Sequence, residues 1–208
     1  MDSNLLKTVE GIKTVIIFYS LLFLLSTIAI FFSFFIIEYL FIFYSLIMIV
    51  YIISLIGIYS GISRIHAGKK AFYLAHERST NQAKKFVKWG LIIYIFVGFF
   101  FGSLFVFNAF SRAIVLTLIM VPFWLALVYL IKEIASDKIK NLLWLAFFSR
   151  AVLYLFVNIL PFLFSYYLVF VSPVIFSLIS IIAIIPSLMF LYCYYNTYRL
   201  IKISTIQQ

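Results

Sequence analysis

Long apolar runs alternate with short polar segments along the whole chain. Six runs are long enough to cross a bilayer, because about 20 helical residues at about 1.5 Å per residue cover about 30 Å of hydrocarbon. They are too long and too continuously apolar for barrel strands of about ten alternating residues. The pattern predicts an all-α, polytopic integral membrane protein with six transmembrane helices. The predicted spans are Thr14–Ile37, Tyr39–Gly61, Gly90–Phe110, Ala113–Ile131, Ala151–Val171 and Val174–Tyr195.

Composition excludes a soluble globular domain. The 208 residues are 66% hydrophobic and 11% charged, and the mean hydropathy is +1.21, whereas soluble domains are about half apolar and about a quarter charged. Lys7 and Lys13 precede the first span as in a signal peptide. That span is longer than a signal core and no small-x-small cleavage site follows it, so we expect it to be a retained helix.

The positive charges indicate the orientation. When the chain is threaded through six spans, all of the 16 lysine and arginine residues except Arg112 fall on one side. Because short cytoplasmic loops carry the excess of basic residues, we expect both termini to be cytoplasmic and the protein to lie in the plasma membrane. The prediction is a single domain, 1–208, of three hairpins. Its expected cytoplasmic segments are 1–13, 62–89, 132–150 and 196–208.

The connection 62–89 is predicted to be helical. The tetrad from Ser79 to Gln82 fits a capping box with Ser79 as the N-cap, so we expect the second helix to extend beyond the membrane towards Arg78 before the chain turns. An alternative is a helix lying among the headgroups. Its inward-facing residues would be Phe72, Leu74, Phe86 and Trp89. A shorter interfacial helix is predicted over 136–150.

A basic patch lies within this connection, with seven bases against one acid, Glu77. The patch consists of Arg64, Lys69, Lys70, Arg78, Lys84, Lys85 and Lys88. It is open to three interpretations. It is the orientation signal alone, a surface for anionic lipid, or a docking surface for an acidic partner. Nucleic acid is the less expected of such partners.

Two glycine pairs have the spacing that lets membrane helices approach closely. The candidate packing residues are Gly57, Gly61, Gly98 and Gly102. Contacts within the chain and contacts with other subunits or further copies are both open. On the opposite side of the membrane, Glu38 and Arg112 are the two expected charges, on adjacent short turns, and we expect them to approach each other.

The sequence offers little for catalysis or cofactor binding. Haem or copper inside the bundle would require His, Cys or paired Met ligands, but His66 and His76 lie in the cytoplasmic connection and Cys193 is the single cysteine. The two histidines are expected on solvated helix faces. The HExxH metalloprotease motif, nucleotide-binding glycine loops and paired membrane aspartates are all lacking. We therefore expect no enzymatic activity, no cofactor and no metal.

A mid-membrane polar site is the one weak signal for transport. Three prolines on three helices lie near the middle of their spans, and each displaces the carbonyl four residues before it. Broken helices at this depth hold substrate in many transporters, although prolines also simply bend helices. The candidate residues are Thr117, Pro122, Asn158, Pro161, Pro186 and Ser187.

The basic start Leu6–Lys13, the Ile/Phe/Tyr-rich spans and the small-residue end Gly57–Gly61 resemble the uncharacterised polytopic membrane proteins of thermoacidophilic archaea. The resemblance rests on composition over the whole chain. It implies an archaeal plasma membrane and no known activity, so it assigns no functional residue.

The leading functional hypothesis is a non-catalytic integral subunit, structural or accessory, in a larger membrane complex. The bilayer and other membrane subunits or further copies of the chain are its expected partners. One alternative is a small transporter or channel-forming protein with the mid-membrane polar site. Another is a membrane anchor whose basic cytoplasmic hairpin recruits an acidic partner.

Overall fold

The computed structural model describes residues 3–32, 40–72, 74–101, 109–165 and 172–206. In this part of the chain the fold is all-helical, as predicted, with six long helices and one short 3-10 helix, Lys69–Ala71. The long helices are α1 (Ser3–Phe32), α2 (Leu40–Ala67), α3 (Leu74–Phe101), α4 (Ala109–Ile131), α5 (Asp137–Ser165) and α6 (Ser172–Ile206).

The helices pair as three sequential hairpins. The most extensive packing is between α1 and α2, between α3 and α4, and between α5 and α6. Further packing of α1 on α6 and of α4 on α5 joins the hairpins, whereas α2 and α3 touch only slightly. The order of the helices in space is therefore α2, α1, α6, α5, α4 and α3, which form an arc with its two ends at α2 and α3.

Three contacts place the basic helix ends together. The start of α1 meets the end of α2, where the carboxylate of Glu10 lies 3.6 Å from the guanidinium of Arg64. The hydroxyl of Ser79, near the start of α3, donates to a carbonyl near the end of α4. The thiol of Cys193 on α6 lies 3.8 Å from the carbonyl of Ile139 on α5. We call this end of the bundle, with the connections 68–73 and 132–136, the basic end.

Glycine allows α1 and α2 to approach backbone to backbone. A Cβ atom added to Gly11 would lie 2.8 Å from both the carbonyl oxygen of Gly61 and the amide nitrogen of Ile65. A Cβ atom on Gly57 would fall 2.2 Å from the ring of Phe18. Gly57 and Gly61 thus pack within the chain. For Gly98, within α3, and for Gly102, the packing lies outside the described side chains.

The connection 62–89 is helical on both sides of a turn, as predicted, but the turn comes earlier than expected. The amide of Gly68 donates to the carbonyl of Arg64 at 3.0 Å and ends α2. A Cβ atom here would lie 2.2 Å from the hydroxyl of Thr8, so the close approach of α1 requires glycine. The turn lies at Gly68–Phe72, and α2 does not extend to Arg78.

The capping box predicted at Ser79 is wrong. The helix begins at Leu74, with Glu77 in its first turn, where a carboxylate interacts favourably with the helix dipole. Ser79 lies inside α3 on its buried face, and its hydroxyl donates to a carbonyl of α4 instead.

The separate interfacial helix predicted over 136–150 is also wrong. The carbonyl of Ser136 accepts from the amide of Lys140 at 2.8 Å, and α5 then continues without a break to Ser165. Leu143, Ala146 and Phe147 are buried in the core, so this segment packs against the other helices as part of the bundle.

Within the described residues, two helical stretches are long and apolar enough to cross a membrane, Ser3–Leu25 and Asp137–Phe156, and Met120–Ile131 is a shorter apolar stretch. By length and composition this is a weak indication of a membrane protein. The six-span arrangement stays a prediction.

Replacing Gly11 with alanine is expected to destabilise the α1–α2 hairpin. The added methyl group meets backbone atoms that cannot move aside cheaply, and overpacking of this kind costs about 1–3 kcal/mol. The measurement is the free energy of unfolding in detergent, with Ser63→Ala, at an exposed position of α2, as the control. Equal stabilities for the two variants would contradict the close packing.

Candidate functional site

The first turns of α3 bury a polar face. His76, Ser79 and Thr80 are all at most 2% exposed, and the buried side continues with Ala83 and Val87 at helical spacing. Thr80 donates to the carbonyl of Glu77 in its own helix at 3.0 Å. This face packs against the end of α4, so its hydroxyl groups are used in structural hydrogen bonds.

Ser79 supplies a hydrogen-bond donor to the end of α4. The last four carbonyls of a helix lack partners within it, and the hydroxyl of Ser79 donates to one of them, that of Tyr129 on α4. Tyr194 on α6 donates to the α4 carbonyl of Leu127 at 2.6 Å. Because positions two apart on a helix point in nearly opposite directions, α4 is held from two sides.

His76 is the exception to this pattern. The residue is 1% exposed, and both ring nitrogens lack a hydrogen-bond partner, although its ring contacts that of Phe72 edge-on at 4.9 Å. Burial lowers the pKa of His76 to about 4, an effect that the negative charge of Glu133 partly opposes. The ring is therefore neutral at physiological pH. The expectation of a solvated histidine is wrong for His76.

His66 has a different environment. It is half-buried near the end of α2, and burial, followed by the positive charges of Lys69 and Lys84, lowers its pKa. The two histidines thus differ in burial and in the charges that surround them.

A cleft of about 520 Å³ opens at the basic end beside His76. It lies between the start of α3, the 132–136 connection and the end of α6. Its lining combines apolar side chains with one imidazole and one carboxylate: Phe72, Ala75, His76, Glu133, Ile134, Leu200 and Ile201.

Glu133, in the wall of the cleft, is close to two lysines. Its carboxylate lies 3.4 Å from the ammonium of Lys132 and 4.0 Å from that of Lys140. The Lys132 ammonium also lies 3.9 Å above the centre of the Tyr129 ring. These contacts offset the charge of Glu133 at the cleft.

The predicted basic patch is divided by the structure. Lys69 pairs with Glu77 at 2.9 Å and donates to the side-chain oxygen of Asn81 at 3.2 Å, and Arg64 pairs with Glu10. The hydrogen bond and charge of Lys69 lower the pKa of Glu77. The remaining bases are exposed and form no ion pair within the described residues. They are Lys70, Arg78, Lys84, Lys85 and Lys88.

Half of the predicted mid-membrane site lies outside the described side chains. This applies to Thr117, Asn158 and Pro161, as it does to the predicted outer pair of Glu38 and Arg112. Pro122 lies inside α4 and is half-buried, and Pro186 and Ser187 are buried inside α6. The structure therefore brings no two of the three prolines into a described pocket.

The interior of the bundle near the basic end is filled. Tyr19 of α1, Leu127 of α4, and Phe190 and Tyr194 of α6 pack together and leave no space for a water molecule. The rings of Tyr19 and Phe190 meet edge-on with centres 6.1 Å apart. No aqueous path passes between these four side chains.

Metal binding has no support within the described residues, where no three His, Cys, Asp or Glu side chains cluster. Cys193 is buried. The arrangement that the sequence analysis missed is the cleft between His76 and Glu133. One signal in the sequence could have indicated a buried face there. Small or polar residues recur at helical spacing on the side of α3 opposite its bases, at His76, Ser79, Ala83 and Gly90.

Comparison with known proteins identifies no relative: no protein-family model matches the chain, and no curated protein or solved structure is similar to it.

Stability should depend on pH through His76. Its pKa of about 4 in the folded protein lies below the ordinary value of 6.5, so the unfolded chain binds the proton first. The stabilisation is fully present above pH 6.5 and is lost as the pH falls to about 4, by roughly 3 kcal/mol. The free energy of unfolding of His76→Phe should not show this decrease between pH 6.5 and pH 4.

The control for that experiment is His66→Asn, which keeps the buried histidine and should retain most of the pH dependence. Identical pH dependence of stability in His76→Phe and in the unchanged protein would show that His76 is not held in its neutral form.

Proposed function

We propose that the protein is a six-span integral membrane protein, with both termini cytoplasmic, that acts as a non-catalytic accessory subunit of a larger membrane assembly. The observation that carries the proposal is a set of exposed apolar stripes at helical spacing. On α5 the stripe is Leu145, Phe148, Val152 and Phe156. On α6 it is Ile182, Ile185, Leu188, Tyr192 and Tyr195.

Similar exposure occurs on the first hairpin, at Ile17 and Leu24 of α1 and at Ile49, Ile53 and Ile56 of α2. Contiguous apolar surface on this scale is rare in soluble monomers and is typical of surfaces that lipid or partner proteins cover. The stripes thus lie on the outer sides of helices whose other faces form the core.

The distribution of charge supports the orientation. The described lysine and arginine side chains lie at the basic end or beside it, and five of them are exposed on and near α3. Cytoplasmic loops of membrane proteins carry this excess. Placing the basic end in the cytoplasm puts the α3 bases at the level of anionic headgroups.

The use of the buried polar groups supports a structural role. Ser79 and Tyr194 each donate to a main-chain carbonyl of α4, and Thr197 donates to the carbonyl of Cys193 at 2.9 Å. Groups engaged in this way stabilise helix ends and contacts, and they are not arranged around a reacting atom.

A second candidate function is recruitment at the basic face. Five exposed bases without an acidic partner in the described residues favour binding of an anionic surface, each contributing about 1 kcal/mol near a charged membrane. The transport hypothesis has no such support, because the side chains of Thr117, Asn158 and Pro161 are not described and the packing around Tyr19 and Phe190 leaves no space for water.

The topology is tested by labelling single cysteines in a Cys193→Ser background with a membrane-impermeant thiol reagent. Ser111→Cys should react in intact cells, and Ser204→Cys should react only after the membrane is opened. The reason is the basic bias, which puts residue 204 in the cytoplasm and residue 111 outside. The reverse pattern would overturn the orientation.

The accessory role is tested by photo-crosslinking in native membranes. We expect a benzophenone amino acid at Phe148 or Tyr192, on the exposed stripes, to give discrete adducts with another polypeptide. The same group at Phe147, which is 7% exposed, is the matched control and should give none. Adducts with lipid alone at both stripe positions would rule out a subunit contact on these faces.

A further inference from the structure

Three features at the basic end remain unexplained by a structural role: the cleft between α3 and α6, the unpartnered imidazole in its wall, and the carboxylate opposite. At about 520 Å³, the cleft has the size of small-molecule sites, which are about 300–1,000 Å³, mostly apolar, and contain a few polar groups. Its lining has this character.

His76 carries the argument, because buried polar groups in proteins are almost always hydrogen-bonded. Neither of its ring nitrogens has a hydrogen-bond partner within the described residues, and the residue is 1% exposed. The neighbouring hydroxyls do not compensate, since Ser79 and Thr80 already donate to the carbonyls of Tyr129 and Glu77. The hydrogen-bonding capacity of the ring is thus unused, and because protein atoms cover both nitrogens, a group from outside the chain reaches them only when the ring turns towards the cleft.

The chemistry of the wall selects the class of ligand. A neutral imidazole has one N–H donor and one acceptor nitrogen, so a hydroxyl group can bond to it in either direction. An anionic ligand would find a single N–H donor in the neutral imidazole and leave its acceptor nitrogen unused, and a cationic ligand would meet a carboxylate whose charge Lys132 and Lys140 already offset. Phe72, Ile134 and Leu200 favour an apolar body.

We propose that this cleft, which we call the His76 cleft, binds an uncharged apolar molecule bearing a hydroxyl group, with that hydroxyl hydrogen-bonded to His76. The apolar part of the ligand packs on Phe72 and on the aliphatic side chains of the 132–136 connection and α6. Since the cleft lies at the basic end, such a ligand reaches it from the membrane surface. This inference does not depend on the accessory role.

The test uses the fact that the chain has two histidines. Protein labelled with ¹⁵N-histidine in detergent gives imidazole signals from His76 and His66 alone, and His66 serves as an internal reference. The probes are 2-naphthol, with a hydroxyl group, naphthalene, without one, and 2-naphthoate, an anion of the same shape.

We expect 2-naphthol to shift the His76 nitrogen signals saturably and to leave those of His66 unchanged. Naphthalene should bind about fivefold more weakly, because one neutral hydrogen bond is missing, and 2-naphthoate should bind more weakly than 2-naphthol. Equal affinity for 2-naphthol and naphthalene, tighter binding of 2-naphthoate, or parallel shifts of both histidines would overturn the proposal.

Two variants separate binding in the cleft from partitioning into detergent. Ala75→Phe fills the cleft from an exposed position of its lining and should abolish the response of His76 to 2-naphthol. Gln82→Phe, exposed on the same helix and absent from the lining, should leave the response unchanged. A full response in Ala75→Phe would show that the probe binds elsewhere.

Discussion

The end of α4 is buried on most sides, and the packing of the basic end depends on it. Ala126, Leu127, Val128, Leu130 and Ile131 are each at most 1% exposed. Main-chain carbonyls at a buried helix end need donors, because an unpaired buried polar group costs about 1–3 kcal/mol. Ser79 of α3 supplies such a donor to the carbonyl of Tyr129, and Tyr194 of α6 adds a hydrogen bond to the carbonyl of Leu127, one residue before the last four of α4. One helix end thus fixes the positions of its neighbours.

The nitrogens of His76, in contrast, are buried without such hydrogen bonds within the described residues. Its ring is enclosed by the same packing that buries Ser79 and Thr80, but no group of the described chain reaches its nitrogens. The cleft beside it is mostly apolar, whereas the nearby surface of α3 is strongly basic. The basic end therefore presents two different surfaces, one suited to anionic headgroups and one to a small uncharged ligand.

The apolar runs predicted the helical class and the approximate position of every helix, because hydrophobic length is written directly in the sequence. The spacing of Gly57 and Gly61 also indicated close packing, although the partner Gly11 was not foreseen. Helix starts failed at Ser79 and at 136–150, where tertiary burial overrode local capping signals. His76 was expected to be solvated because its neighbours are charged. Its burial follows from the packing of α4 against the face of α3 on which small and polar residues recur.

The most direct test of this account is the free energy of unfolding of Ser79→Ala and Tyr194→Phe in detergent. Ser79→Ala leaves the carbonyl of Tyr129 without this donor and should lose about 1–3 kcal/mol. Tyr194→Phe removes a second hydrogen bond from the carbonyl of Leu127, which keeps its partner within the helix, and should lose about 1 kcal/mol. Thr14→Ala, which removes a hydroxyl that bonds within its own helix at 2.8 Å, should change stability far less. Losses no greater than that of Thr14→Ala would contradict a bundle organised around the end of α4.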